Sequence, residues 1–402
     1  MKTIVEINGI NYGSTGRIAL NIAKEARKEG FDVYTCFRNS HEGKKHPNDN
    51  QILIGNWLDK VVSERLSYVF GLNGYFCIIN TSIFLKRLDE LKPDLIHIHS
   101  LCDNYLNVRM LFEYIIKKDI PVIWTFHDGW PFTGRCAQNR CSKWQEGCGN
   151  CPHKDYYPGT LFLDNSRHVL KKRSELYGRL SNLTIVTPSA WLKNLVKLSH
   201  FKDKFPVRVI NNGIDLNIFK PTDSDFRKEH SLNDKYIVLG LAYYWDDSKG
   251  LDVFIDLAKR LPEKYRIVLV GTNDEVDKVL PENIISIHRT HTQEDLVKIY
   301  SCSDVFVNPT RDENYPTVNM EAIACGLPVL TFDTGGCAEI INDKTGSSVK
   351  MNDVDSLEKE IIRICETKPY SKEDCLKHAK SFNMENKYKE YVELYKEILN
   401  KN

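Results

Sequence analysis

Short apolar runs recur along the chain, each ending in a polar loop and leading into a stretch with the helical period. This is the pattern of a parallel sheet buried on both faces. In the first half the runs are Thr3 to Ile7, Asp32 to Phe37, Leu95 to His99, Val122 to Phe126, Leu183 to Thr187 and Val207 to Ile210. In the second half they are Tyr236 to Leu241, Arg266 to Gly271, Ile284 to Ile287, Val305 to Asn308 and Val329 to Phe332. Between them Ile18, Ile22 and Ala23 share one helical face, and helices are expected from about Gly250 to Leu261 and from Gln293 to Cys302. Two successive sets of strands and helices predict an α/β protein of two Rossmann-like domains whose parallel sheets face a central cleft. The expected boundaries are 1–210, a linker at 211–235, a second domain at 236–380, and a helix at 381–402 crossing back to the first domain. The linker holds the turn chemistry of Asn211-Asn212-Gly213-Ile214-Asp215 and, from Pro221, a charged segment.

Composition narrows the class. A chain of 402 residues exceeds one typical core, and 55 basic against 54 acidic residues leave a net charge of +1, so nothing overall points to nucleic acid. Met1 to Asn8 enters a strand without the pattern of a leader, and no apolar segment reaches the ~18 residues of a membrane span, so a cytoplasmic protein is expected. The aromatic residues Trp57, Tyr68, Phe70, Tyr75 and Phe76 read as core packing, with a lipid-facing or acceptor-facing groove as the alternative. A basic helix from Arg167 to Leu180 reads as a solvated face, or as a surface lying on anionic lipid at the inner face of a membrane.

The candidate chemistry centres on Arg311 to Gly336. After the run Val305 to Asn308, Glu313 sits in a polar turn, Pro316 suits a first helical position, and the helix is expected to end near Cys325 before Gly326. A helix start can hold a phosphate through its backbone N–H groups, and Glu313 and Glu321 flank it as acceptors for sugar hydroxyls. A diphosphate with a sugar at each end fits that arrangement; an ordinary βαβ unit with solvated glutamates is the alternative. The first strand-to-helix turn offers a similar approach through Gly13 and Gly16, with Arg17 to add charge, or is a tight turn with no ligand. His127 and Asp128 follow a strand, where a doubly wound sheet meets its ligand, and His97 and His99 share one face of theirs, His97 reading as a hydrogen-bonded core residue. Eight of twelve cysteines are scattered singly, but Cys136, Cys141, Cys148 and Cys151 form C-x4-C-x6-C-x2-C. That spacing reads as a structural zinc site, with a redox pair at Cys148 and Cys151 or four unligated thiols as alternatives.

At Asp246-Asp247-Ser248-Lys249-Gly250-Leu251-Asp252 and at Glu313 to Gly336 the chain resembles family four of the retaining glycosyltransferases, whose two-Rossmann fold is called GT-B. The likeness extends to the glycine loop at Gly13, His127-Asp128, Thr187-Pro188-Ser189, Asn212-Gly213-Ile214-Asp215 and the E-x7-E pair Glu313 and Glu321. The Cys136 to Cys151 insertion is similar to that of bacterial members that build colanic-acid-like exopolysaccharides. The resemblance implies transfer of a sugar from a UDP- or GDP-linked donor to a glycan or lipid-linked oligosaccharide, with retention and without a metal in the chemistry. By the same resemblance Lys249 binds the diphosphate, Glu313 the transferred sugar and Glu321 the ribose. His127 contacts the sugar near the reacting centre, and the N–H groups of Thr317 and Val318, after Pro316, hold the distal phosphate. His127, Lys249 and Glu313 are thus the expected catalytic set. The arginine expected five or six residues before Lys249 is replaced by Tyr244 and Tyr243, with Arg311 or Arg17 as substitutes, and Asn314 and Tyr315 stand where glycines are usual. A glycoside hydrolase and a non-catalytic nucleotide-sugar-binding or zinc-loop protein are the competing classes. The sequence carries no signal of oligomeric state.

Overall fold

The apolar runs do become parallel strands. A computed structural model describes residues 1–401; Asn402, the end of the expected C-terminal helix, lies outside the described residues. The chain divides into two units, Met1–Asn211 together with the segment from Lys387, and Asn212–Asn386.

The first unit holds β1 (Thr3–Asn8), β2 (Asp32–Arg38), β3 (Gln51–Ile54), β4 (Leu95–Ile98), β5 (Val122–Thr125), β6 (Leu183–Thr187) and β7 (Val207–Val209). They form one parallel sheet in the order β3-β2-β1-β4-β5-β6-β7. The order reverses direction between β1 and β4, which places the ligand crevice of such a sheet at the C-terminal ends of those strands. The last helix, Met384–Lys401, joins this unit because Tyr388, Tyr391, Val392 and Tyr395 recur at helical spacing and are all buried.

The second unit holds β8 (Tyr236–Leu241), β9 (Tyr265–Val270), β10 (Ile284–Ile287), β11 (Val305–Asn308), β12 (Val329–Phe332) and β13 (Gly346–Val349). Their order, β10-β9-β8-β11-β12-β13, is again parallel throughout and reverses between β8 and β11. Segment 212–235 is part of this unit: Phe219, Phe226 and Leu232 are buried in its core.

Two expectations need correction. Trp57, Tyr68 and Phe70 are not core residues; Trp57 is 67% exposed, and Leu58, Val62, Ile78, Ile79 and Ile83 are exposed with it. The basic helix, Ser166–Tyr177, is not a uniformly solvated face either. Arg173 is buried with its guanidinium 3.6 Å from the Trp130 ring and donates to Asn73 O at 2.8 Å. A planar cation stacked on indole and hydrogen-bonded to a carbonyl satisfies burial that a lysine would not.

Candidate active site

In the second unit the loops after β8 and β11 meet at the reversal point. The loop after β8 is shaped by Asp246, whose Oδ1 accepts from the N–H groups of Ser248 (2.8 Å) and Lys249 (3.1 Å). Ser248 O then accepts from Arg311 N–H at 2.7 Å, docking this loop on the one that follows β11. The result brings Lys249 Nζ to 2.6 Å from Glu313 Oε2, in a pair whose side chains are 24% and 29% exposed. Burial alone would depress the Lys249 ammonium, but the charge and hydrogen bond of Glu313, with Tyr244 and Asp312 nearby, outweigh it and hold the group above its ordinary value. Behind Glu313, the turn at Gly335 has φ +59°, and a Cβ there would lie 1.7 Å from Glu313 O. Only glycine lets that turn lie against the Glu313 backbone.

The helix beyond Glu313 runs Thr317–Ala324 and is followed by Gly326 with φ +81°. Pro316 is its N-cap and not its first helical residue, since ψ 121° keeps it extended. Thr317 and Val318 are therefore the first N–H groups of the positive helix end. Glu321 is buried and accepts from Tyr300 O–H at 3.2 Å, which keeps the carboxylate one turn inside the helix.

The structure gives Arg311 another task than replacing the missing arginine. Its guanidinium grips Asp252 through two bonds of 2.7 Å and also donates to Asn352 Oδ1 at 2.6 Å. This fork raises Arg311 and lowers the Asp252 carboxyl, and it fixes the Lys249 loop. Tyr243 and Tyr244 are 81% and 55% exposed, and the Arg289 guanidinium lies 6.0 Å from the Tyr243 ring. Arg289, just beyond β10, is a cation at the strand ends that no sequence motif marked.

In the first unit, Gly13 opens the helix Gly13–Lys28, and a Cβ on buried Gly16 would lie 2.7 Å from the Asn11 carbonyl carbon, so loop and helix approach closely there. Arg17 is exposed and donates back to Gly13 O at 3.2 Å. His127, half-buried past β5, is oriented by His99: its Nε2 lies 3.0 Å from His99 Nδ1, and the rings stack at 15°. Asp128 Oδ1 accepts from Trp130 N–H at 2.9 Å and shapes the turn. Burial lowers His127 to about 4, His97 to about 3, and raises the Glu6 carboxyl to about 8, so this corner of the sheet favours neutral groups. Glu6 was legible as an acid between Val5 and Ile7 in a strand expected to be buried on both faces; its link to His99 was not.

Cys136, Cys141, Cys148 and Cys151 all line one cavity of about 20 Å³, with Trp144 and Ser166 beside them. The knuckle is held by Gly149 N–H to Ser166 Oγ (3.0 Å) and Cys151 N–H to Asp164 Oδ2 (2.7 Å). Burial pushes the Cys136 thiol up to about 12. Among the described residues no three of the four sulfurs lie within 4.8 Å of one another, so ligation at ~2.3 Å would draw them inward.

Comparison with known proteins decides the class. A family model described as Glycosyltransferase Family 4 matches residues 15–218, and one described as Glycosyl transferases group 1 matches 222–382. The chain belongs to glycosyltransferase family 4. It is 22% identical over 362 residues to a putative colanic acid biosynthesis glycosyl transferase, WcaC, of Escherichia coli, covering 85% of each chain. A Campylobacter jejuni N,N'-diacetylbacillosaminyl-diphospho-undecaprenol α-1,3-N-acetylgalactosaminyltransferase is 32% identical over 141 residues, 33% of this chain and 37% of that one. Among solved structures, Anabaena HepE in complex with UDP superposes with a TM-score of 0.72 at 15% identity over 99% of this chain and 100% of that one. Sucrose-phosphate synthase from Thermosynechococcus elongatus gives 0.71 at 17% over the whole of both. The fold of this family member is GT-B, and it is a glycosyltransferase.

Proposed function

We propose that this chain transfers a sugar, with retention, from a nucleotide diphosphate sugar to a hydroxyl of a glycan or lipid-linked acceptor in the building of a bacterial surface polysaccharide. The observation that carries the reading is the Lys249–Glu313 pair at the reversal point of a nucleotide-binding type of sheet, beside the helix start at Thr317. A cation for phosphate and a carboxylate for sugar hydroxyls, side by side, mark the junction between diphosphate and sugar. The names of the colanic acid and undecaprenol-linked relatives, and the UDP complex of HepE, support the same class of donor and acceptor.

In the reaction the bond from the anomeric carbon to the diphosphate oxygen breaks, and its electron pair goes to the phosphate. Lys249 and the helix start absorb that charge, so the chemistry does not call on a metal. The acceptor oxygen bonds the anomeric carbon on the same face, and its proton passes to the released phosphate. Glu313 holds the transferred sugar, Glu321 the ribose, and His127 a sugar hydroxyl. A thermal-shift panel of UDP- and GDP-linked sugars tests the reading: the matching donor at 100 times its dissociation constant should stabilise by ~2.7 kcal/mol. If no nucleotide sugar stabilises the protein, the reading falls. Sugar release without a nucleotide product would instead favour a hydrolase.

The lipid-linked side of this reading draws on the first unit. The starts of helices Trp57–Phe70 and Ile78–Leu91 are tied by Asn80 N–H to Asp59 Oδ2 (3.1 Å) and Cys77 N–H to Ser63 Oγ (2.9 Å). Both present exposed apolar side chains, the kind of surface that enters a lipid headgroup layer. Among the described residues no helix is long and apolar enough to cross a membrane. The protein should sediment with vesicles containing anionic phospholipid, and Ile79→Ser with Ile83→Ser should weaken this several-fold; equal sedimentation of the variant would rule this surface out.

The cysteine loop is proposed to hold one structural zinc ion, since four thiols on one small cavity in a segment short of regular structure supply a complete tetrahedral ligand set. Protein purified without chelator should contain about one zinc per chain, and Cys148→Ser with Cys151→Ser should lose it. A metal-free protein that turns over normally would overturn the proposal.

A further inference from the structure

Beneath His127 lies a line of buried polar side chains that donor binding does not use. His99 Nε2 faces Glu6 Oε2 at 3.9 Å, and both atoms are buried without another hydrogen-bond partner among the described residues. Closing by about 1 Å would make a normal hydrogen bond and satisfy two buried groups whose desolvation is otherwise uncompensated. On its other side Glu6 Oε1 accepts from Tyr395 O–H at 3.1 Å. Tyr395 in turn lies 2.6 Å from His97 Nδ1, and His97 Nε2 lies 2.8 Å from Thr125 Oγ1. Both nitrogens of His97 are thus within hydrogen-bond reach of a hydroxyl, and Glu6, His97 and His99 bring ligand atoms together.

The direction of that line follows from counting protons. Burial keeps Glu6 protonated at neutral pH and the histidines uncharged. Since Oε1 already receives the Tyr395 proton, the Glu6 proton sits on Oε2 and points at His99 Nε2. His99 must then carry its proton on Nδ1 and give it to His127 Nε2, because one proton serves the 3.0 Å contact between the two rings. His127 is left with its proton on Nδ1.

We propose that Glu6 and His99 are positioning residues for His127: the Glu6 carboxyl, acting through His99, locks the His127 proton on Nδ1 and makes that nitrogen a hydrogen-bond donor. The functional weight of this lock rests on the reading of His127 as a contact of the donor sugar; the lock itself does not.

The test is a long-range proton–nitrogen NMR spectrum of full-length protein labelled with ¹⁵N-histidine, with His127 assigned from the His127→Gln spectrum. The expected result is a neutral His127 protonated on Nδ1 at pH 7. Glu6→Gln can place its amide nitrogen toward His99 and its oxygen toward Tyr395, so it should keep that pattern and the wild-type kcat. Glu6→Leu, with folding checked by circular dichroism, should shift His127 toward the Nε2 tautomer and lower kcat several-fold with little change in the KM for donor. Wild-type His127 protonated on Nε2 would overturn the proposal, as would a folded Glu6→Leu with an unchanged His127 spectrum. A tautomer that follows Glu6 while His127→Ala turns over normally would leave the lock standing and remove His127 from the donor site.

Discussion

Glu313→Ala and Lys249→Ala should each lower sugar transfer by well over tenfold, a loss of more than ~1.4 kcal/mol in transition-state stabilisation. The two side chains are 2.6 Å apart without a ligand, so each neutralises the other until a donor arrives. A diphosphate then offers Lys249 a stronger anionic partner, and the freed carboxylate of Glu313 can accept from sugar hydroxyls. Because both residues act at one junction, the double variant should cost clearly less than the sum of the two singles. Glu313→Ala also leaves a partly buried ammonium unpaired, so a drop in stability of about 1 kcal/mol should accompany the kinetic loss. The two effects separate by measuring kcat at a temperature where circular dichroism shows the variant fully folded. Lys249 has its folded value raised, so its contribution to stability is complete below its ordinary value of 10.5 and fades only as pH climbs through the higher folded one. Activity changes between pH 6 and 9 should therefore come from other groups. Near-normal turnover in Glu313→Ala would remove the pair from the mechanism.

How much of this was readable from the chain depends on the range of the interaction concerned. The inner strands were legible because short β-rich apolar runs such as Val122 to Thr125 announce burial on both faces without reference to any partner. Of the edge strands, Val207–Val209 and Ile284–Ile287 were legible too, whereas Gln51–Ile54, a four-residue run behind a polar loop, and Gly346–Val349, whose GSSV carries no apolar period, were not. Segment 212–235 reads as a linker by its charges, yet Phe219, Phe226 and Leu232, three isolated apolar residues in a segment with only one helical turn, anchor it in the core. At the site, the helix start near Pro316 was visible from local chemistry, whereas the Lys249–Glu313 pair joins residues 64 positions apart and has no local signature. Arg311 shows the limit of reading by charge: an arginine in the right stretch is already committed to Asp252 and Asn352. The same holds for the surface at Trp57, where an apolar residue implied a core and tertiary packing left it outside.

The buried corner around Glu6 should give the protein a stability maximum near pH 6.5. Glu6 is protonated in the folded chain and ionised in the unfolded one between 4.5 and about 8, so across that window the fold binds one proton more and stability falls as pH rises. His97, His99 and His127 have the opposite sense. They are neutral in the fold, where burial lowers them, and protonated in the unfolded chain below 6.5, so stability rises with pH up to that value. Each proton difference contributes ~1.4 kcal/mol per pH unit. Below pH 6.5 these three imidazoles, joined by His200, which burial lowers to about 3, oppose one carboxyl, so the melting temperature should climb steeply from pH 5 to 6.5. Above it Glu6 remains, joined by exposed His288, which its hydrogen bond to Asp277 raises above the ordinary value, and the curve should decline toward pH 8. Glu6→Gln removes the buried group behind most of the decline, so its melting curve should keep the acid limb and fall much less from 6.5 to 8, with only the small slope of exposed His288 left. Melting temperatures taken at constant ionic strength across pH 5 to 8.5 provide the measurement. A wild-type curve that stays level or rises through 8 would mean that Glu6 is ionised in the fold, and the proton chain leading to His127 would then lack its donor.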